Sequence, residues 1–215
     1  MKLERQFNLL DQIIIEFDNF LGSSMPANRG ASRENPADSV VDIQLEDGQL
    51  EQSAALMRVN HAGEVAAQAL YQGQGMTAKS PKVKRTMQSS AAEEIDHLIW
   101  CRQRLDELGS RPSILDPVWY LGSFSIGVVA GVVGDKWSLG FVAETEHQVM
   151  QHLQSHLDQI SHNDVKSRAI IEQMIEDEGR HATIALESGA AYLPEPVCKL
   201  MTMCSRVMTG VAYWV

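Results

Sequence analysis

The sequence predicts an all-α protein: a four-helix bundle with additional N-terminal, apolar and C-terminal helices. Apolar residues recur at helical spacing through most of the chain. Two motifs of the form Glu-x-x-His, Glu94 to His97 and Glu178 to His181, lie within such apolar stripes. A single glutamate precedes each motif, so the second half of this arrangement repeats the first.

The preceding glutamates lie 30 residues before the first motif and 32 residues before the second. Residues three apart on a helix share one face, and an ionised carboxylate on a core-facing stripe is costly unless a partner or a metal ion compensates it. Two helices with one glutamate each and two with Glu-x-x-His provide the ligand set of di-iron and di-manganese carboxylate bundles. The sequence therefore predicts metal ligands at Glu64, Glu94, His97, Glu146, Glu178 and His181.

A third match to the motif, Glu144 to His147, is predicted to be a decoy. On a helix Glu144 would share its face with polar residues such as Gln148 and Gln151. Glu146 instead shares a face with apolar residues, namely Leu139, Val142, Val149, Met150, Leu153, Leu157 and Ile160. The core-facing position therefore selects Glu146 as the ligand.

Composition indicates one globular domain, because the chain has 215 residues of which 44% are hydrophobic and 21% charged. The formal charge of -10 disfavours a surface that binds nucleic acid, including a tRNA substrate. Three cysteines without a Cys-x-x-Cys pair indicate neither a disulfide framework nor a thiolate zinc site. Early acidic residues such as Glu4 and Asp11 interrupt any targeting signal, so no cleaved segment is expected.

The chain is expected to divide into residues 1–50, an N-terminal amphipathic helix and linker, and residues 51–215, the bundle domain with the metal ions. Apolar residues at helical spacing from Leu3 to Leu21 predict the helix. The turn-rich residues 22–38 predict the linker. The four bundle helices are expected at about 51–74, 81–108, from 138 onwards, and 164–188.

Several polar residues near the motifs have predicted supporting roles. Asp96 and Asp177 are expected to orient the two imidazoles, whereas Glu93 and Glu176 are expected to be solvated. His61, one helical turn before the first glutamate ligand, is interpreted as a polar neighbour of the site. His147, His152, His156 and His162 are mostly expected to be solvated or outside the ligand set, and among them His152 is expected to contact substrate or a proton path.

Val118 to Gly134 form the most apolar segment and contain no charged residue. Its length is marginal for a membrane span, and the aromatic residues at its ends are typical of interfacial anchors. Two interpretations stay open, a buried core helix and a segment that enters a membrane surface. The C-terminal apolar helix, after Pro196, is expected either to close the bundle or to line an apolar entrance.

Carboxylate and imidazole ligands suit iron or manganese better than a thiolate-binding metal, and iron is the expected ion. Glu94 and Glu178 are expected to bridge two ions, with the remaining ligands divided between them. Four carboxylates offset the four charges of two divalent ions. No nucleotide-binding motif is present, so a partner or the substrate must supply reducing electrons.

Four segments of the sequence resemble the demethoxyubiquinone hydroxylase family: Arg58 to Glu64, Glu94 to Leu98, Ala143 to His147 and Glu178 to His181. The resemblance extends from about Met57 to the C-terminus. It implies a ferritin-like four-helix bundle that acts as a di-iron monooxygenase and hydroxylates the ring of 3-demethoxyubiquinol with dioxygen in ubiquinone biosynthesis. It places iron on the same six residues predicted above.

The resemblance also implies a peripheral protein on the cytoplasmic face of the bacterial cell membrane, which favours membrane contact for the apolar segment. The implied partners are a polyprenyl quinol, dioxygen and the membrane surface, with a homo-oligomer and other ubiquinone-biosynthesis proteins as further candidates. The alternative function is a rubrerythrin-type ferroxidase or peroxidase, which shares the ligand pattern. That alternative gives no reason for the long apolar segment.

Overall fold

Six α-helices make up most of the chain that the computed structural model describes, residues 30–41 and 43–215. A short 3-10 helix, Pro36–Ser39, precedes them, and no strand occurs within these ranges, so the all-α prediction is confirmed. The helix expected over Leu3 to Leu21 lies outside the described residues. The six helices are α1 (Asp47–Thr77), α2 (Pro81–Glu107), α3 (Asp116–Val133), α4 (Asp135–Gln159), α5 (Val165–Glu187) and α6 (Glu195–Ala212).

Local signals in the sequence explain where the bundle helices begin. Ser80 caps α2 by accepting a hydrogen bond from the Lys82 amide at 3.3 Å, and Asp164 caps α5 by accepting one from the Ser167 amide at 3.0 Å. α1 begins four residues before the predicted position, because the side-chain oxygen of Gln49 accepts a hydrogen bond from the backbone amide of Glu46. α4 begins at Asp135, three residues before its predicted start at residue 138.

The four-helix bundle consists of α1, α2, α4 and α5, as predicted. α1 packs along α2 and α4 packs along α5, and contacts of α2 with α5 and of α1 with α4 join the two pairs. Large apolar side chains fill one end of the bundle core, among them Met57, Trp100, Leu105, Ile171 and Met174, each at most 1% exposed. The bundle therefore has a dry interior into which the motif residues project.

α3 packs closely against α1 through glycines, and Trp119, Tyr120 and Phe124 of α3 add apolar contacts near its start. A Cβ atom on Gly127 would collide with the carbonyl oxygen of Leu70, and one on Gly73 would collide with backbone atoms of α3. The opposite face of α3 is exposed, with Val129 at 64% and Val132 at 61%. Among the described residues nothing covers this face, so they do not support the interpretation of the segment as a buried core helix.

We expect Gly127→Ala to destabilise the protein, because the added methyl group would push two backbones apart. Overpacking of this kind costs about 1–3 kcal/mol of unfolding free energy. Gly122→Ala on the same helix is the control, since a Cβ there meets open space and alanine favours helix by up to about 1 kcal/mol. Denaturant unfolding measures both variants, and equal stabilities would contradict the close approach.

α6 does not close the bundle, which was one of the two expectations for the C-terminal helix. Only Ala212 of this helix is buried. Its other apolar residues either face solvent or line the cavity described below. The second expectation, that the helix lines an apolar entrance, is the one that the structure supports.

The described part of the linker is attached to the bundle. The Ser32 backbone amide donates to Asp96 Oδ1 at 2.6 Å, and the Ser32 hydroxyl donates to Asp96 Oδ2 at 2.8 Å. Ala37, in the short 3-10 helix, is buried in the core beside α5. Residues before α1 therefore cover one side of the bundle, and the boundary between residues 1–50 and 51–215 stays a prediction.

Candidate metal centre

The six predicted ligands come from all four bundle helices and meet in the core. α1 contributes Glu64 and α4 contributes Glu146, while α2 and α5 each contribute one Glu-x-x-His motif. Every one of the six is at most 3% exposed. They form two overlapping groups whose nitrogen and oxygen atoms lie within 4.8 Å of one another: Glu64, Glu94, His97 and Glu178, and Glu94, Glu146, Glu178 and His181.

Glu94 and Glu178, the glutamates of the two motifs, belong to both groups. A carboxylate that bridges two metal ions must lie in such a shared position. Nδ1 of His97 lies 3.2 Å from Glu94 Oε2 and 3.2 Å from Glu178 Oε1. Nδ1 of His181 lies 3.2 Å from Glu178 Oε2 and 3.3 Å from Glu94 Oε1. Both imidazoles therefore direct Nδ1 into the carboxylate cluster, and ligation by the six residues stays a prediction.

The cluster concentrates negative charge in a dry core. Burial raises the pKa of Glu64 and Glu146 well above the ordinary glutamate value, and nearby carboxylates raise it further. Burial alone would lower the pKa of His181, but hydrogen bonds to Glu178 and Glu94 outweigh burial and raise it to about 11. Glu178 and Glu94 thus favour the protonated form of His181. Metal cations bound at the cluster would displace this proton and supply the positive charge in its place.

The donor atoms fit a pair of divalent metal ions. Within the described residues, the buried Oε2 atom of Glu146 makes no hydrogen bond, and Glu64 Oε2 and Glu94 Oε1 have only a shared imidazole nitrogen nearby, at 3.4 and 3.3 Å. An unbonded buried carboxylate oxygen is costly, and a metal ion removes that cost. Four carboxylates and two imidazoles are donors that iron and manganese accept, and they could neutralise two divalent ions.

The acids that contact the imidazoles differ from the prediction. Asp177 Oδ2 lies 2.9 Å from Nε2 of His97, so the expected role of Asp177 is supported. Asp96 contacts no imidazole, because Ser32 and Arg33 occupy its oxygens. Glu93, which was expected to be solvated, lies 3.4 Å from Nε2 of His181. Each imidazole therefore meets an acid from the other motif helix.

Tyr71 is a neighbour of the site to which the sequence assigned no role. Its hydroxyl donates a hydrogen bond to Glu146 Oε1, and its ring meets the His181 ring edge-on with centroids 6.2 Å apart. Burial, together with Glu146 and other carboxylates, raises the pKa of Tyr71 well above its ordinary value. Tyr71 lies seven residues after Glu64, which is two helical turns along the same face, and this spacing was the available signal.

Two residues that the sequence predicts to lie outside the ligand set, His61 and Glu144, also lie outside the cluster in the structure. Nδ1 of His61 is 3.1 Å from Asp116 Oδ2, so His61 joins α1 to the start of α3 and is not part of the cluster. Glu144 is half-buried and accepts a hydrogen bond from Gln148 at 2.6 Å, while His147 is exposed. The prediction that the third motif is a decoy agrees with this arrangement.

An apolar cavity of about 480 Å³ opens beside the cluster. Glu64 lines it, as does His152, whose buried Nε2 atom makes no hydrogen bond within the described residues. Its walls come from α1, α3, α4 and α6, including Gly63, Ala67, Trp119, Phe141, Leu200 and Met208. The cavity therefore connects Glu64, a predicted metal ligand, to α3 and α6, the two helices with exposed apolar faces.

A second histidine supports the cavity wall from behind. His156 Nδ1 lies 2.7 Å from Asn60 Oδ1, and its ring meets the His152 ring edge-on with centroids 4.0 Å apart. Burial and then His152 lower the pKa of His156 to about 3. His156 is therefore neutral and donates its Nδ1 proton to the Asn60 oxygen. Of the two expectations for it, solvated or outside the ligand set, the arrangement agrees with the second.

A four-helix bundle with four glutamates and two histidines in its core defines the class of ferritin-like carboxylate proteins. The family described as ubiquinone biosynthesis protein COQ7 matches residues 51–212. A 3-demethoxyubiquinol 3-hydroxylase of Nitrosococcus oceani is 53% identical over 211 residues, covering 98% of this chain and 99% of the relative. The corresponding protein of Cupriavidus pinatubonensis is 55% identical over 209 residues, covering 95% and 99%. The chain belongs to the COQ7 family, and the resemblance based on its motifs is confirmed.

Proposed function

We propose that this chain hydroxylates the ring of 3-demethoxyubiquinol with dioxygen, as the names of its relatives state for them. One observation carries the proposal beyond likeness: Glu64 belongs to the buried carboxylate cluster and also lines the apolar cavity. A quinol ring at the inner end of this cavity would lie beside the cluster, with its polyprenyl tail along the apolar walls. A ferroxidase needs no such cavity.

The metal centre in this proposal holds two irons. Glu94 and Glu178 would bridge them, Glu64 and His97 would complete one site, and the remaining pair would complete the other. Bound iron would supply the redox chemistry by which dioxygen gives one atom to the ring and one to water, with the required two electrons and two protons coming from the quinol substrate or a partner protein. Apolar walls exclude water from this reaction.

The polar groups of the cavity are few and fixed in place. His152 lines the cavity, and its buried Nε2 atom has no hydrogen-bond partner within the described residues, so we infer that a ring hydroxyl or methoxy oxygen of the quinol is its partner. Asn60 holds the neutral His156 behind it. In the proposed reaction His152 therefore orients the ring, and the cluster is left free to hold metal.

We test the function by giving the purified full chain 3-demethoxyubiquinol and isotopically labelled dioxygen, and by measuring iron and quinol mass. Two irons per chain with one labelled oxygen in the quinol support the proposal. Two irons with unlabelled quinol would replace it with the ferroxidase function. A chain that binds no metal would contradict both.

We also propose that the protein lies on the cytoplasmic surface of the cell membrane. α3 is the one described helix whose length and composition would allow it to cross a membrane, which is weak evidence by itself. Its outward face and that of α6 expose Val118, Leu121, Val129, Val132, Leu200, Met203 and Val207, each more than half exposed. A surface of this kind is suited to contact with lipid chains.

We expect the full chain to co-sediment with phospholipid vesicles and the double variant Val129→Glu, Val132→Glu to do so at least about tenfold less. Burial of two valines contributes about 3 kcal/mol or more, and the carboxylates oppose insertion. Gln154→Glu with Ser155→Glu adds the same charge to an exposed part of α4 and is the control. Equal binding by both double variants would contradict membrane contact through α3.

A further inference from the structure

Arg33 joins the two motif helices from outside the bundle. Its Nε atom donates to Asp96 Oδ2 on α2 at 3.0 Å, and one of its terminal nitrogens donates to Asp177 Oδ2 on α5 at 2.8 Å. Both aspartates are at most 1% exposed. Ser32 holds the second oxygen of Asp96, as described above. A planar guanidinium suits such a fork between two carboxylates.

The residues that Arg33 contacts also contact His97. Asp177 Oδ2, which accepts the bond from Arg33, is the oxygen that lies 2.9 Å from His97 Nε2. The guanidinium carbon also lies 4.8 Å from the centre of a Trp100 ring, and Trp100 lies against the His97 ring with centroids 5.4 Å apart. Arg33 therefore contacts both groups that fix the orientation of this imidazole.

His181 has a weaker outer support. Tyr71 meets its ring edge-on, but its Nε2 atom makes no hydrogen bond within the described residues and lies 3.4 Å from Glu93, whose side chain is 30% exposed. A partly exposed carboxylate without a hydrogen bond restrains the ring less than the buried Asp177, which lies 2.9 Å from His97 Nε2. The two halves of the cluster thus have similar ligands and different surroundings.

We propose that Arg33 is a positioning residue for the metal ion at Glu64 and His97, acting through Asp177 and Trp100, so that the two metal positions hold their ions unequally. The inference rests on the di-iron centre proposed above. A carboxylate on the outer nitrogen of a metal-binding imidazole fixes its orientation and increases its basicity. Arg33 in turn fixes the Asp177 oxygen that contacts His97, and it shares the neutralisation of this buried carboxylate with Arg180, which lies 2.9 Å from the other oxygen.

The test follows release of ferrous iron from the loaded full chain to excess chelator. We expect Arg33→Gln to release one of the two irons about tenfold faster than wild type, as loss of such outer contacts typically weakens metal binding tenfold or more. The other iron should keep its wild-type rate. Arg102→Gln, which removes an exposed arginine–aspartate pair from α2, is the matched control and should match wild type.

A double-mutant cycle tests whether the effect passes through Asp177. In an Asp177→Asn background, Arg33→Gln should cause much less further acceleration than in wild type, because only the contact with Trp100 is then left to lose. Arg33→Lys, which keeps the charge but loses the fork, is the second variant and should accelerate the same single iron. Wild-type release by both Arg33 variants, equal acceleration of both irons, or additive effects in the cycle would overturn the inference. A wild-type chain without iron would instead contradict the proposed function.

Discussion

Glu178→Ala is expected to abolish hydroxylation and to leave the chain unable to hold two irons. Glu178 lies in both groups of candidate ligands and within 3.2 Å of Nδ1 of both His97 and His181. Its loss removes a donor from both metal positions at once. Because a metal ion contributes several kcal/mol to the transition state, we expect activity below about 1% of wild type. Iron per chain and labelled oxygen in the quinol measure the effect.

Glu144→Ala is the matched control for this variant. It removes a glutamate from another Glu-x-x-His sequence, on α4, where the carboxylate bonds to Gln148 and not to the cluster. Iron content and hydroxylation should stay at the wild-type level. Two irons and full activity in Glu178→Ala would contradict the assigned ligand set.

Gly63→Leu is expected to block the cavity while leaving the metal centre intact. Gly63 lines the cavity, and a Cβ atom at this position meets nothing within 4 Å. Leucine would occupy space needed by the quinol, at a cost of about 1–3 kcal/mol in binding or more. Hydroxylation of a polyprenyl quinol should therefore fall about tenfold or more. Replacing a helical glycine should not weaken the fold, because leucine favours helix by up to about 1 kcal/mol.

The measurement compares quinol hydroxylation with the oxidation of ferrous iron by dioxygen in the same variant. We expect the first to fall and the second to persist, since only the first requires the cavity. Gly48→Leu makes the same change on α1 at an exposed position, also without neighbours within 4 Å, and should behave as wild type. Full hydroxylation in Gly63→Leu would show that the quinol ring lies elsewhere.

The buried cluster of four glutamates and two histidines was predictable because it depends on spacing within each helix. The apolar stripe on α4 indicates which face of this helix is buried. It therefore predicts Glu146, and not Glu144, as a member of the cluster without knowledge of the neighbouring helices. The partners of the imidazoles were not predictable in the same way. Asp177 reaches His97 from α5, and the role of Asp96 depends on Arg33, so both follow from how helices lie against each other.

For the apolar helix α3, the sequence could not predict whether the helix is buried. Buried and lipid-facing helices are both apolar on every side, so composition could not distinguish them. The glycines did indicate a face of close approach, and Gly127 does contact α1 at backbone distance. Whether other helices cover the opposite face is a property of the whole fold, and here none of the described helices covers it.

α3 and α6, the two helices over the cavity, differ in how many buried contacts must break before each can move. α3 is held at its start by the Asp116–His61 pair, along its length by the glycine contacts, and at its end by Gly134, the single residue before α4. α6 buries only Ala212. Local opening is least costly where few buried contacts break, so of the two helices over the cavity α6 is the one whose displacement costs less.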